Sequence, residues 1–346
     1  MKRVELGRTG IEVSDLCLGT MTWGTNTPHG TEHEQIERAA AAGIDFMDTA
    51  EMYPVNPVRP ETVGRTEEII GDWFARTGRR DEWVLATKMT GPSDNVRNGA
   101  PIGAGTLREA VEGSLRRLRT DRIDLYQLHW PNRGSYHFRQ VWDYDPSGQD
   151  TAEVADHMAS VMEALKGLVE AGKLRAFGLS NDTAWGATRW CDAADRIGGP
   201  RVATVQNEYS LMCRYYDTDM AEASVHEGWT LLAYSPLATG FLTGKYAGGG
   251  KPEGSRAAIN GDLGGRWSER AVAVADAYVA LAAERGLDPV HMALAFCRQR
   301  PFRCIPIFGA TTTDQLDRIL AGADTVLDEE TLDAIAAVHR AHPMPY

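Results

Sequence analysis

Short apolar runs alternate with amphipathic segments eight times along this chain, and that alternation restricts the fold more than any single motif. The runs lie at 15–19, 44–48, 83–87, 123–128, 174–179, 202–206, 229–234 and 303–307, each the length of a buried strand. Helical spacing follows at 32–42, 63–77, 106–118, 156–171, 183–197 and 217–227. It returns near 268–285 and 289–299, then at 313–321, and extra C-terminal helix is expected over 328–341. In the first of these, Ile36, Ala39 and Ala40 share one face and Gly43 supplies the stop. Strict alternation predicts a parallel sheet. Eight units in 346 residues predict a closed (β/α)8 TIM barrel, an α/β fold, as one domain over 1–346. A doubly wound open sheet is the competing architecture, but the turn Gly19-Thr-Met-Thr-Trp-Gly24 lacks the GxGxxG spacing of a dinucleotide fingerprint. Ahead of the barrel, residues 2–13 alternate around Gly7-Arg-Thr-Gly10 and predict a β-hairpin.

Charge narrows the function classes. A net charge of −12 argues against a general nucleic-acid binder or a basic membrane-surface protein, while leaving room for a local phosphate pocket. No apolar run approaches the roughly 18 residues that span a bilayer. The start Met1-Lys-Arg-Val-Glu5 carries no signal-like apolar region. The five cysteines, Cys17, Cys191, Cys213, Cys297 and Cys304, show no paired spacing and suit a reducing compartment. A cytoplasmic protein is therefore expected. No His/carboxylate cluster has ligand spacing, so no metal is expected. The oligomeric state stays open, a homo-oligomer included.

Chemistry gathers where the strands end. In a barrel those ends meet at one face. Asp48, Lys88 and His129 close the second, third and fourth runs, and Tyr53 lies on the loop after the second. A free tyrosine is a weak acid at neutral pH, and a neighbouring ammonium would lower its pKa. Asp48 would pair with Lys88, and His129 would offer a hydrogen bond to a carbonyl oxygen. The four together suit protonation of an oxyanion formed as hydride reaches a carbonyl carbon. Each alone has an ordinary structural explanation; four at three consecutive strand ends do not. Trp23, Met52, Trp130 and Trp142 are candidates for an apolar substrate wall, beside Tyr53 and His129, with ordinary packing as the alternative. Glu51 and Glu208 are expected to form surface salt bridges rather than polar walls. Two long connections, 131–155 and 236–267, are expected to carry function at the mouth.

The pieces Gly43-Ile-Asp-Phe-Met-Asp48-Thr-Ala-Glu-Met-Tyr53, Ala86-Thr-Lys88, Asp121-Arg-Ile-Asp-Leu-Tyr-Gln-Leu-His129, Gly178-Leu-Ser-Asn181, Val205-Gln-Asn207, Tyr234-Ser-Pro-Leu237 and Ile305-Pro-Ile-Phe-Gly309-Ala span nearly the whole chain. In combination they resemble the aldo-keto reductase family, most closely the branch with bacterial Tas-like reductases and potassium-channel β subunits. The resemblance implies an NAD(P)H-dependent oxidoreductase that reduces aldehydes or ketones on a (β/α)8 barrel. Tyr53 would be the general acid, Lys88 its tuner, Asp48 the support of Lys88, and His129 the residue that orients the carbonyl.

The same resemblance implies cofactor contacts. Thr20, Met21 and Asp48 would line the nicotinamide side, Ser180, Asn181 and Gln206 would meet its carboxamide, and Tyr234 would stack on its ring. Ser235, Pro236, Leu237, Ala238, Thr239, Gly240 and Leu242 resemble the loop that folds over the pyrophosphate, and Lys245, Ser255 and Arg256 resemble phosphate and adenosine positions. Gly309, Thr311 and Gln315 precede or open the helix after the eighth strand, where an N-terminus favours an anion. Here the chain departs from the family pattern: Thr311 is not cationic, and Ile319 cannot hydrogen-bond adenine. NADPH is still expected, with Arg256 and, in support, Arg318 or Lys245 at the 2′-phosphate; NADH is the second cofactor the pattern allows. Two other functions compete. One is a nucleotide-binding regulatory subunit of the channel type, which resembles this pattern with Asn at the His129 position. The other is a barrel lyase or isomerase with Lys88 as a Schiff base, which leaves Tyr53 and the Tyr234 segment unexplained.

Overall fold

The computed structural model describes residues 1–55 and 57–346. Strands β1 (Arg3–Glu5) and β2 (Glu12–Ser14) pair antiparallel as the expected hairpin. Eight further strands follow: β3 (Cys17–Gly19), β4 (Phe46–Asp48), β5 (Val84–Met89), β6 (Ile123–Leu128), β7 (Leu174–Ser180), β8 (Val202–Glu208), β9 (Thr230–Tyr234) and β10 (Cys304–Phe308). They form one closed parallel barrel in chain order, and β10 pairs with both β9 and β3 to complete the circle. The open-sheet alternative is therefore excluded.

The helices are α1 (Thr31–Ala41), α2 (Arg65–Thr77), α3 (Ala104–Leu118), α4 (Thr151–Glu170), α5 (Ala184–Ile197), α6 (Asp219–Glu227), α7 (Arg256–Asn260), α8 (Glu269–Glu284), α9 (Pro289–Arg298), α10 (Thr313–Leu320) and α11 (Glu329–Ala341). Helix α4 starts five residues earlier than its apolar spacing predicts, at 151 rather than 156. The Asp150 side chain accepts from the backbone N–H groups of Ala152 and Glu153 and caps a polar first turn. The short α7 was not expected; it lies inside the second long connection, where Ser255 caps it by accepting from Ala258 N–H.

Alternation along the strands separates two cores. Leu18, Met47, Leu85 and Tyr126 point outward into the large apolar layer under the helices. Cys17, Phe46, Ala86, Leu125, Ala176, Leu232 and Ile305 form a second core with Leu6, Ile11 and Val13 of the hairpin. The hairpin thus closes one end of the barrel with apolar side chains, each fully buried one worth about 1.5–3 kcal/mol. Two residues further along the same strands, the interior turns polar. Phe46 is followed by Asp48, Ala86 by Lys88, and Leu125 by Gln127. The apolar layer is the floor on which this polar layer rests.

Candidate active site

Asp48 ends β4, Lys88 is the fifth residue of β5, and Gln127 is the fifth of β6. The register sets Asp48 beside Ala86 and Lys88 beside Gln127. Lys88 is fully buried and donates from Nζ to Asp48 Oδ2 at 2.6 Å, to the Thr49 carbonyl at 2.7 Å and to the Tyr53 hydroxyl at 3.3 Å. All three ammonium protons therefore have acceptors. Asp48 Oδ1 accepts from Gln206 Nε2 at 2.8 Å and from Gln127 Nε2 at 3.2 Å. Gly178 leaves the space for this: a Cβ there would lie 2.3 Å from Thr204 Oγ1 and 3.2 Å from Gln127 Cγ.

With Lys88 spending a proton on the phenol oxygen, the Tyr53 O–H is left to donate elsewhere. The His129 ring meets Tyr53 edge-on, centroids 5.9 Å apart. Burial pushes the Tyr53 hydroxyl up; Lys88 opposes this and Asp48 adds to it, and the balance is a raised pKa. This corrects the expectation that Lys88 alone would pull it down. Burial works against the Lys88 ammonium, but Asp48 and Tyr53 outweigh it and hold its pKa above the usual value. Burial, reinforced by the Lys88 charge, drives His129 well below its ordinary range. The site at neutral pH is thus a neutral phenol, an ammonium and a neutral imidazole whose Nδ1 is buried without a hydrogen-bond partner among the described residues.

The other expected positions divide. Thr20 is buried and its hydroxyl donates to the Asp48 carbonyl at 2.9 Å, with Met21 half-buried beside it. Asn181, in the left-handed region at φ 54°, donates from Nδ2 to the His129 carbonyl at 3.0 Å and accepts from the Tyr234 hydroxyl at 2.8 Å. Ser180 donates to the Gln206 carbonyl at 2.8 Å. Ser180, Asn181, Gln206 and Tyr234 therefore converge on one wall, yet part of their capacity is already spent inside the protein. Gln206 belongs to the Asp48 network as much as to that wall.

The loop after β9 is built for close approach. Ser235, Ala238, Thr239 and Gly240 all have positive φ, and Pro236, Ala238, Gly240 and Leu242 are buried. The turns are closed within the loop, where the Ala238 N–H donates to the Ser235 carbonyl at 2.8 Å and the Gly240 N–H to the Leu237 carbonyl at 2.9 Å. A Cβ at Gly240 would lie 2.6 Å from Lys245 Cε, so glycine there lets Lys245 fold against the loop. The side chain of Arg256, the first residue of α7, has no hydrogen bond or ion pair among the described residues. Burial and the neighbouring Arg266 pull its guanidinium down to about 10. Desolvation and Arg256 likewise depress Lys245. Two depressed cations without a carboxylate between them fit a phosphate-bearing cofactor.

Several expectations need correction. Trp23 is fully buried and donates from Nε1 to Gln35 Oε1 at 3.2 Å, so it is core, not substrate wall. Arg318 is bidentate on Asp288, at 2.8 and 3.1 Å, which removes it as a free cation. Gln315 Oε1 accepts from both the N–H and the hydroxyl of Thr311, beside Gly309 at the α10 entry. Glu51 and Glu208 do not make surface bridges. Glu51 is buried against Arg97, and Glu208 is buried against Arg139 and Arg266. Trp130 does reach the mouth: it is half-buried, its ring 5.0 Å from His129, and Phe138 meets it edge-on at 5.9 Å. Met52 is half-buried and Trp142 is 66% exposed on the rim.

Gln127 was not anticipated. Its signal was alternation, since it stands two residues before His129 on one strand face. Among the described residues, no group of three or more His, Cys, Asp or Glu side chains is placed to hold a metal, and no helix is long and apolar enough to cross a membrane.

A closed (β/α)8 barrel with a Tyr, Lys, Asp and His gathered at its mouth defines a class of barrel oxidoreductases. The family model described as aldo/keto reductase matches residues 15–340. Protein tas of Escherichia coli (strain K12) is 42% identical over 352 aligned positions, covering 100% of this chain and 99% of that protein. The uncharacterized oxidoreductase YrpG of Bacillus subtilis is 33% identical, covering 96% and 94%. Norsolorinic acid reductase stcV of Emericella nidulans is 28% identical, covering 93% and 77%. The chain belongs to the aldo/keto reductase family and is an oxidoreductase of a group that generally uses nicotinamide cofactors and acts on small carbonyl compounds.

Proposed function

We propose that this protein reduces an aldehyde or ketone to an alcohol with NADPH, and that Tyr53 is the general acid. The observation that carries the reading is the buried chain of contacts from Asp48 through Lys88 to the Tyr53 hydroxyl. The cofactor supplies hydride to the carbonyl carbon when bound. His129, neutral and edge-on to Tyr53, orients the carbonyl oxygen by a ring N–H. Tyr53 donates its proton to that oxygen as negative charge grows there. Lys88 then steadies the phenolate by the hydrogen bond it already makes, and Asp48 with Gln127 and Gln206 keeps the ammonium in place.

Arg256 and Lys245 would hold phosphate, and the unpartnered Arg256 supports NADPH over NADH through the 2′-phosphate. Ser180, Asn181, Gln206 and Tyr234 would face the nicotinamide, and Ser235 to Leu242 the pyrophosphate. Trp130, with Tyr53 and His129, would wall the substrate. The whole of 1–346 acts as one catalytic domain. Five buried free thiols support a cytoplasmic setting.

The test is a fluorescence titration with NADPH and NADH separately, followed by a screen of aldehydes and ketones for NADPH consumption. NADPH binding with turnover of a carbonyl is the expected result. Absence of binding by either nucleotide would overturn the reading.

A further inference from the structure

Glu208, the last residue of β8, is 3% exposed and holds two guanidinium groups from two different loops. Arg266, at the end of the 236–267 connection, donates from Nε to Oε1 at 2.9 Å and from Nη2 to Oε2 at 2.8 Å. Arg139, in the 131–155 connection, donates from Nη2 to Oε2 in a very close contact. The two loops also touch directly: a Cβ at Gly265 would lie 3.0 Å from Arg139 Cγ. Phe138 and Arg139 are consecutive non-glycine residues with positive φ, 57° and 69°. That conformation is unfavourable for both and persists where the surroundings hold it. Here it turns Phe138 onto Trp130 and Arg139 onto Glu208.

Each loop reaches a different part of the site. The first carries Phe138, which meets Trp130, which lies against His129. The second carries Arg256, whose charge acts on Tyr53 and stands beside Arg266. We propose that Glu208 is a positioning residue that ties the substrate-side loop to the cofactor-side loop, so that phosphate held on the second loop orders the wall formed by the first. The idea rests on the nicotinamide-cofactor reading for what the second loop binds. A buried carboxylate is well suited to such a tie, because its two oxygens offer enough acceptor sites to take charge-assisted hydrogen bonds from both guanidinium groups at once.

Linkage makes the coupling reciprocal, and that provides the test. Arg139→Met lies on the substrate side and is expected to raise the Kd for NADPH about tenfold. Arg266→Met lies on the cofactor side and is expected to raise the carbonyl KM at saturating NADPH by a similar factor, with kcat within about twofold. Arg139→Lys keeps a cation within reach of Glu208 and is expected to recover part of the loss. It also serves as the test variant should Arg139→Met not fold. Hydrogen exchange of the free protein is the readout that needs no cofactor: Arg139→Met is expected to speed exchange across 256–266. Unchanged exchange there, with NADPH affinity within about twofold of wild type, would overturn the tie. If the wild-type protein binds no NADPH, the cofactor reading fails, and exchange across 256–266 still decides whether Glu208 joins the loops.

Discussion

Lys88 Nζ lies 2.6 Å from Asp48 Oδ2, and both side chains are withdrawn from solvent. Among the described residues neither forms another salt bridge, so each depends on the other. Removing one partner of a buried pair typically costs about 3–5 kcal/mol, because the survivor stays buried and uncompensated. Lys88→Met is expected to destabilise the fold by that order. Asp48→Asn/Lys88→Met is expected to recover a large part of it, since no net charge then remains. Urea unfolding of the two single variants and the double variant checks this, and additive losses would mean that the pair is not coupled.

Tyr53→Phe removes the proposed acid and keeps the ring. Carbonyl reduction is expected to fall by about 10²–10⁴-fold, with the NADPH Kd nearly unchanged. Burial holds the phenol above its ordinary value. Activity should therefore persist through neutral pH and fall only as the pH rises past about 10, where the acid loses its proton. An alkaline limb near pH 8 would mean that Lys88 outweighs burial once the cofactor is bound.

Much of this site was legible because barrel geometry turns strand ends into a place. Once Asp48, Lys88 and His129 ended consecutive runs, topology alone assembled them. Gln127 was equally accessible through alternation. Trp23 was misread because aromatic side chains near a strand end serve core and pocket alike; its packing against Gln35 depends on where α1 lies. Glu208 was misread because its partners stand 69 and 58 residues away on loops whose backbone conformation no periodicity encodes. The direction of the Tyr53 shift needed the degree of burial, which a spacing argument does not contain.

His137 provides a pH test of the loop that carries it. Its Nε2 pairs with the Asp182 carbonyl at 3.1 Å, and burial, with a smaller push from Arg139, brings it down to about 4. In the unfolded chain a histidine takes up its proton near 6.5. Between those values the unfolded state binds more protons, so stability falls as pH falls. The slope approaches about 1.4 kcal/mol per pH unit, or about 3 kcal/mol across the window. Unfolding free energies between pH 7 and 4 for wild type and His137→Gln are expected to diverge in level but with a flatter slope in the variant. Parallel slopes would show that His137 is charged in the fold.

Arg256 is expected to distinguish the two nucleotides. Among the described residues its guanidinium has no carboxylate partner, and its pKa is already depressed, so an anion gains more there than at a paired arginine. Arg256→Ala should weaken NADPH by roughly 10–100-fold, the order of a charge-assisted, partly desolvated contact, and NADH by far less. Equal weakening would mean that Arg256 does not meet the 2′-phosphate. Arg318→Ala serves as the comparison, since Asp288 already occupies it, and it is expected to leave both affinities close to wild type.

Trp130 is tested from behind, through Gly91. A Cβ at Gly91 would fall 2.2 Å from Trp130 Nε1 and 2.3 Å from Cδ1. Ordinary contact needs about 3.5 Å, so Gly91→Ala must displace the indole. Gly91 is buried and Trp130 only half-buried, so the indole is the part that gives way. Trp130 stands against His129 and Phe138. Gly91→Ala is therefore expected to raise the carbonyl KM several-fold and shift tryptophan emission while NADPH affinity stays near wild type. A variant with altered emission and an unchanged KM across several carbonyls would remove Trp130 from the substrate wall, because the ring would then have moved without the substrate sensing it.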